Sequence, residues 1–463
     1  MENMNMKTLK KSRSLIGLGI LAASLASGSA YAKVSADEAA QLGTKLTPLG
    51  AEKGANKDGS IPAWDGGLSK APACFDGSSY LCDPFADDKP LYEITNANKD
   101  QYKDKLTPGL LAMLEKYPTY KIPVYPSRRS FANPQKIYDL TRNNATKTEL
   151  VTGGNGLQNL DAFGIPFPIP KTALEVLWNH LLRYRGDTAW RKAAQVAPQP
   201  NGQFSVVTFH DQVAYRAGIK DVGPDEDTNV LFYFKQQVIS PARLAGNVLL
   251  VHETIDQVKE PRLAWVYNAG QRRVRRAPQV SYDGPGTAAD GLRTADNLDM
   301  FNGAPDRYEW TLIGKKEMII PYNNYKVDDI KLKYTDIIKP GHVDPNLTRY
   351  ELHRVWVIDA KLKKGTRHIY DRRTMYIDED SWQASMIDLY DGRGNLWRVQ
   401  QAYNKQWYTV PTMFYAIEAV YDLTSSRYLV TGLKNEEKDG FVFNTEWSKQ
   451  EFNPNALRSS GVR

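Results

Sequence analysis

The sequence lacks the short motifs that mark the common enzyme classes. It contains no His-Glu-x-x-His, no Gly-x-Ser-x-Gly, no Gly-x-x-x-x-Gly-Lys-Ser/Thr and no Gly-x-Gly-x-x-Gly that follows a strand and opens a helix. Its six histidines are scattered, and we interpret them as structural or surface residues. We therefore predict no catalytic residue, no metal site and no cofactor, and we expect that the protein is not an enzyme.

Long apolar runs are also missing, apart from a short one near the N-terminus. Residues 15–27 are apolar, follow several basic residues and precede Ala30-Tyr31-Ala32, which fits the small-x-small rule for signal cleavage. The run is shorter than the roughly 20 residues that cross a membrane. We predict a signal peptide over residues 1–32, cleaved after Ala32, and a periplasmic mature protein. An uncleaved membrane anchor is the alternative.

A large excess of charge is absent as well. The chain has 60 Lys and Arg residues against 53 Asp and Glu residues, and the predicted signal peptide supplies part of the difference. So small an excess in a secreted protein gives no reason to expect a nucleic-acid partner.

We expect the protein to be a monomer.

Cysteine is scarce, with only Cys74 and Cys82 in the chain. In an oxidising compartment the two should form a disulfide. A redox site is less favoured, because the spacing is not Cys-x-x-Cys. We interpret the pair as a structural cross-link within one loop.

The remaining chain divides by pattern into residues 33–200, rich in helices and loops, and residues 201–463, rich in strands. The clearest helix starts at Thr172, which forms a capping box with Glu175. Its apolar residues recur at helical spacing and form one stripe that must pack on something apolar. Those residues are Leu174, Leu177, Trp178, Leu181 and Leu182.

About ten short segments after residue 200 alternate in the manner of strands and are separated by turns, such as 268–270 and 391–395. No long helical pattern lies between them, so the sheet should be antiparallel. A sheet of this size curls strongly. The sequence predicts an α+β fold that is mostly β, in which helices cover the concave face of a large curled antiparallel sheet. In strands such as those of residues 371–403, inner residues should face an apolar interior and outer residues should face water.

Several of these strands carry tryptophan, and two interpretations of the rings remain open. They could be ordinary core residues, or they could line a cavity for an apolar ligand. The second interpretation also includes the helix stripe and the extended segment 163–170 before it. Its predicted lining residues are Trp265, Tyr267, Trp310, Trp356, Trp382, Trp397, Leu177, Trp178, Leu181 and Phe167.

The densest basic cluster is residues 272–276, and it also has two interpretations. Strand alternation places Arg273 and Arg275 on one face and Arg272 and Arg276 on the other, which favours a rim or edge position. Alternatively, Arg273 and Arg275 contact an anionic head group or an acidic partner. The acidic run 378–380 does not have calcium-loop spacing, so we predict a solvated turn there.

Long segments of the chain resemble the motifs of a proteobacterial secreted family, the domain of unknown function DUF1329. They include GANKDGSIPAWDGGL (residues 54–68), YNAGQRRVRRAP (267–278) and LIGKKEMIIPYNNY (312–325). The resemblance implies a relation to outer-membrane lipoprotein sorting and a β region like that of the LolA and LolB carriers, an open half-barrel that holds acyl chains under helices. It also implies gene neighbours that encode a resistance-nodulation-division transporter and an outer-membrane protein, and no known catalytic residues.

We predict from these observations a periplasmic carrier or chaperone for a lipid or another hydrophobic molecule, acting in envelope transport with such a transporter. One alternative is a periplasmic adaptor that docks on an inner-membrane transporter or an outer-membrane protein. A second alternative is an extracytoplasmic hydrolase with a site that no motif reveals.

Overall fold

The computed structural model of the protein describes residues 34–161, 163–223 and 225–461. The chain from residue 33 onward forms one compact unit. The predicted signal peptide lies outside the described residues. Among the residues that are described, no helix is long and apolar enough to cross a membrane.

The described part of the chain contains six α-helices and eighteen strands. The helices are Ala36–Ala39 (α1), Pro108–Lys116 (α2), Gln135–Lys147 (α3), Ala173–Leu182 (α4), Tyr334–Ile337 (α5) and Leu457–Gly461 (α6). The strands are Tyr92–Ile94 (β1), Ile122–Tyr125 (β2), Glu149–Leu150 (β3), Leu157–Gln158 (β4), Thr188–Val196 (β5), Val206–Tyr215 (β6), Val230–Ser240 (β7), Val248–Thr254 (β8), Leu263–Asn268 (β9), Arg273–Arg276 (β10), Tyr308–Pro321 (β11), Tyr350–Leu362 (β12), Arg372–Asp378 (β13), Ala384–Tyr390 (β14), Leu396–Trp407 (β15), Thr412–Asp422 (β16), Tyr428–Leu433 (β17) and Val442–Phe443 (β18).

One large sheet contains all the strands except β3 and β4. Its main path runs β11-β12-β13-β14-β15-β16-β17-β5-β6-β7-β8-β9-β10, and every neighbouring pair on this path is antiparallel. A short parallel pairing of β2 with β12 is the exception to the antiparallel pattern. In the described chain β10 and β11 do not pair with each other, so the sheet is open. The prediction of a mostly-β fold with a large open sheet is confirmed.

Strand β5 lies in the middle of this sheet, between β17 and β6. It ends at Val196, just before the predicted division at residue 200 between the helix-rich and the strand-rich parts. The helix-rich part therefore contributes one central strand, β5, and the long series of strands follows it. The two predicted turns at 268–270 and 391–395 join β9 to β10 and β14 to β15.

Both faces of the sheet are covered around β14 and β15. Asp388 and Val399 are cross-strand partners, and the start of α2 lies against both. Gln400, which points to the opposite face, donates to Glu418 and accepts from Asn297. The prediction that outer residues of strands 371–403 face water is therefore wrong, because covering segments bury both sides of β13–β15.

The residues that the sequence predicts to cap the N-termini of α2 and α4 do so in the structure. Thr107 caps α2 by accepting from the backbone N–H of Leu110, and Pro108 occupies the first helical position. Thr172 and Glu175 form the predicted capping box of α4. Every residue of α4 except Leu174 is buried, so this helix is a core element.

The predicted disulfide between Cys74 and Cys82 is present, with a Cα–Cα distance of 6.1 Å. It closes a loop whose residue Cys82 contacts the hydroxyl of Tyr408 in the sheet region. The cross-link therefore holds this loop at the point where it meets the sheet.

Replacing Gly109 by alanine should destabilise the protein by about 1–3 kcal/mol, because the site has no room for a methyl group. A Cβ at Gly109 would lie 2.1 Å from Oδ1 of Asp388 and 2.8 Å from Cγ1 of Val399. The matched control is Gly392→Ala, where a Cβ meets nothing within 4 Å. Urea unfolding measures both variants, and equal stability of the two would show that α2 does not pack tightly on the sheet.

Candidate functional site

The predicted lining residues on and before α4 lie inside the main hydrophobic core. Leu177, Trp178, Leu181 and Phe167 are all buried in it. The indole of Trp178 donates to the carbonyl oxygen of Gly154 at 3.0 Å. These side chains fill space between packed elements.

The predicted tryptophans of the sheet divide between two separate clusters. Trp310, Trp356, Trp382 and Trp397 belong to or pack on the main core, where Trp382 is fully buried. Trp265 and Tyr267 belong to a second cluster, which includes Phe452 and Leu457 from the C-terminal region. The rings therefore do not share one wall.

Two adjoining spaces lie against β5, β6, β7 and β16. The larger of these two, here called the apolar hollow, comprises about 620 Å³, open solvent included. The register places Ala189, Val213 and Phe234 side by side on one face of the sheet. Further aromatic rings from β7, β16 and the β18 region complete its apolar lining, namely Phe232, Phe414, Tyr415, Phe441 and Phe443.

A second space, here called the polar hollow, adjoins the apolar hollow and comprises about 420 Å³, open solvent included. The two share Arg191, Asp211, Phe234, Leu298 and Tyr415 among their lining residues. Arg293 and Glu418 line the polar hollow and not the apolar hollow. An apolar space therefore lies beside a charged one.

Residues 285–300, here called the strap, cover the hollows on the side away from the sheet. Gln195 of β5 donates to the backbone carbonyls of Thr287 and Ala288. Asp296 accepts from the buried guanidinium of Arg373 at 2.6 Å. These bonds hold the strap against the sheet. The hollows are therefore covered by an irregular segment that is bound to the sheet, and not by a helix as the sequence predicted.

Asp299 joins the end of the strap region to the chain just after α4. Arg183 donates to both carboxylate oxygens at 2.6 and 2.7 Å, and Arg185 also binds this carboxylate. All three side chains are buried. Burial opposes ionisation of Asp299, but the two guanidiniums outweigh it and hold the pKa of this carboxyl below its ordinary value.

Arg191 is partly satisfied by its neighbours in the polar hollow. Its Nε donates to Asp211 at 3.0 Å, and another nitrogen donates to the hydroxyl of Tyr415 at 3.2 Å. Its remaining terminal nitrogen, Nη1, is buried and has no hydrogen-bond partner among the described residues. The Arg191 guanidinium therefore has one buried nitrogen that donates no hydrogen bond within the described chain.

Glu418 lies on the same side of the polar hollow. One carboxylate oxygen accepts from Gln400 at 2.7 Å and the other accepts from the backbone N–H of Met300 at 3.2 Å. Burial raises the pKa of Glu418 to about 7, and the charge of Arg293 offsets only part of this effect. This carboxyl is therefore partly protonated at neutral pH.

The predicted head-group contacts Arg273 and Arg275 are exposed and lie on β10, the last strand of the sheet path. They are remote in the strand order from β5, which lines the hollows. Arg276 of the same strand lies 4.8 Å from the ring centroid of Trp265. The structure places this basic hairpin at a sheet edge, which is the position that its alternating charges favoured.

The acidic turn at 378–380 is not solvated, and that prediction is wrong. Asp378, Glu379 and Asp380 are all buried. Arg129 binds both oxygens of Asp380, and Arg354 donates to Glu379. Basic side chains from other segments neutralise Glu379 and Asp380, and a sequence pattern does not reveal partners so distant along the chain.

The sequence matches a known family over most of its length. The pattern of the family described as "Protein of unknown function (DUF1329)" matches residues 93–458. The chain belongs to the DUF1329 family. It is also 59% identical over 456 residues to the uncharacterized protein PA3922 of Pseudomonas aeruginosa, a match that covers 98% of this chain and 100% of the relative.

Solved structures similar to this DUF1329 chain are more distant. A putative outer membrane lipoprotein-sorting protein domain from Vibrio parahaemolyticus has a TM-score of 0.43 and 13% identity, over 62% of this chain and 98% of that one. A DUF1329 family protein from Desulfovibrio piger has a TM-score of 0.41 and 15% identity, over 59% and 92%. The LolA superfamily protein NE2245 from Nitrosomonas europaea has a TM-score of 0.38 and 12% identity, over 62% and 100%.

In this DUF1329 protein, the residues that line the hollows were missed by the sequence interpretation. Phe232, Phe234 and Gln236 alternate along β7 and point to one face, a signal that was present in the sequence. The sequence prediction named tryptophans on other strands instead, because tryptophan has the largest side-chain ring. Arg293 and Asp299 lie outside regular strands, where no period indicates which way a side chain points.

The Glu418→Gln variant should lose less stability than the wild type as the pH rises. A carboxyl with a folded-state pKa of about 7, above its unfolded value, contributes stability that is present at low pH and disappears as pH rises through 7. Between pH 5 and pH 8 the wild type should lose about 2–3 kcal/mol more than the variant. Urea unfolding across this range measures the difference, and parallel curves would contradict the assignment.

Proposed function

We propose that this DUF1329 protein is a periplasmic carrier that binds a lipid or another hydrophobic molecule in the apolar hollow. The observation that carries the proposal is the space that Phe232, Phe234, Phe414, Phe441 and Phe443 line against the sheet. These five rings offer no nucleophile or base, and the two carboxylates beside them, Asp211 and Asp299, are bound by arginines. Binding without reaction is the chemistry that it supports.

Burial of an acyl chain is the main source of binding free energy in this proposal. Each methylene that leaves water contributes about 0.8 kcal/mol. Eight buried methylenes would therefore give roughly 6 kcal/mol before the cost of association is subtracted. The predicted tryptophan wall is not needed for this contribution.

Calorimetric titration of the purified mature protein with dodecanol tests the proposal. Dodecanol is uncharged, so its binding reports the apolar hollow without any contribution from the arginines. We expect saturable binding of one molecule per chain with a negative heat-capacity change. The absence of saturable binding would contradict the carrier function.

The edge strand β10 supports a further part of the proposal, which is docking to an acidic membrane partner such as a transporter. Arg273 and Arg275 are exposed there and leave a basic surface on the last strand. Pull-down from solubilised membranes with the double variant Arg273→Glu, Arg275→Glu tests this contact. Recovery of the same partners by the variant and the wild type would exclude it.

A further inference from the structure

Four guanidiniums and three carboxylates lie in or beside the polar hollow. Arg191 and Arg293 line the polar hollow itself, and Arg183 and Arg185 line adjoining spaces and bind its carboxylate Asp299. The carboxylates in the same region are Asp211, Asp299 and Glu418. Four cations therefore face three anions, and partial protonation of Glu418 increases the imbalance.

The excess is localised on Arg293. Asp299 is bound by Arg183 and Arg185, and Asp211 is bound by Arg191 and Gln236. Both oxygens of Glu418 bind other groups. Within the described chain Arg293 forms no ion pair, and its Nε is buried without a hydrogen-bond partner.

The backbone around Arg293 leaves room for this guanidinium. Gly286 donates its backbone N–H to the carbonyl oxygen of Arg293 at 3.0 Å. A Cβ at Gly286 would lie 2.9 Å from Nε of Arg293. Glycine at this position therefore lets the side chain lie against the strap, where it lines both the polar hollow and a further space of about 540 Å³ beside β8.

Burying a guanidinium without a partner is costly, and a bound anion removes that cost. A planar guanidinium matches the two oxygens of a carboxylate or phosphate. Arg191 and Arg293, which carry these unused donors, both line the polar hollow. Phe234 and Leu298 line this hollow and the apolar hollow alike, so one molecule can occupy both.

We infer that the molecule carried by this protein is an anionic amphiphile, with a carboxylate or phosphate head between Arg191 and Arg293 and an acyl tail in the apolar hollow. The inference rests on the proposed carrier function and adds the charge class of the ligand. It assigns head-group binding to Arg293, which belongs to the strap and lies away from the exposed arginines of β10.

Three probes with the same tail test the inference by calorimetry, namely dodecanoate, dodecyl phosphate and dodecanol. Wild-type protein should bind each anionic probe at least about tenfold more tightly than dodecanol. Arg293→Gln should remove this preference, so that the variant binds the anionic probes no more tightly than it binds dodecanol. The matched control Arg275→Gln removes the same charge from an exposed edge position and should keep the full preference.

Each outcome separates the two proposals. Equal binding of all three probes by the wild type would overturn the anionic head group and leave the carrier function intact. A preference that survives Arg293→Gln would overturn the role of Arg293. A preference for only one anionic probe identifies the head group as carboxylate or phosphate. If Arg293→Gln fails to fold, Arg293→Lys should retain the preference, because it keeps the charge.

Discussion

Replacing Asp299 by asparagine should lower the free energy of unfolding by about 3–5 kcal/mol, because it leaves two buried guanidiniums without their shared carboxylate. Arg183 and Arg185 both bind Asp299, and all three side chains are buried. Asparagine tolerates the positive φ of 49° that this residue adopts. The effect should therefore come from the lost charge.

The matched control for this prediction is Asp290→Asn. Asp290 pairs with Arg427 at 2.9 Å, but 58% of its side chain is exposed. Exposed ion pairs of this kind contribute about 0–1 kcal/mol. Urea unfolding at constant pH compares the two variants, and a loss below about 1 kcal/mol for Asp299→Asn would show that the strap is not held by this carboxylate.

Replacing Val213 by phenylalanine should abolish ligand binding while the protein stays folded. Val213 lines the apolar hollow beside Phe234, so the added ring would occupy the space that the proposal assigns to an acyl tail. Filling an existing hollow adds apolar contacts and should leave the stability unchanged or slightly higher. We expect at least about a tenfold loss of affinity for dodecanol in calorimetry.

Val258→Phe is the control for this prediction, because it makes the same substitution at a residue that is 50% exposed. It should bind dodecanol as the wild type does. If Val213→Phe retains wild-type affinity, the ligand does not enter the apolar hollow. If both variants lose affinity equally, the loss has no relation to the site.

The sequence predicts features that depend on neighbouring residues. The capping box of Thr172 and Glu175 and the turns at 268–270 and 391–395 are set by local side-chain chemistry, and the structure confirms them. The antiparallel character of the sheet also follows from the short connections. The pairing of β17 with β5 joins residues far apart in the chain, and nothing local specifies it.

The residues of the candidate site were harder to predict from the sequence than the fold was, because the same kinds of side chain fill the core and line a cavity. Trp382 and Phe234 are both large rings on or beside strands, yet one is fully buried in the core and the other lines a hollow. The difference lies in what covers each face of the sheet. The strap covers the hollows, and its path over β5–β7 is fixed by long-range bonds such as those of Gln195.

Native mass spectrometry of the mature protein purified from the periplasm of its own host tests the central claim most directly. The account predicts that wild-type protein and Val258→Phe carry one bound amphiphile per chain, which extraction into organic solvent releases, and that Val213→Phe is empty. Wild-type protein that is always empty and that binds neither dodecanol nor dodecanoate when these are supplied would contradict the account.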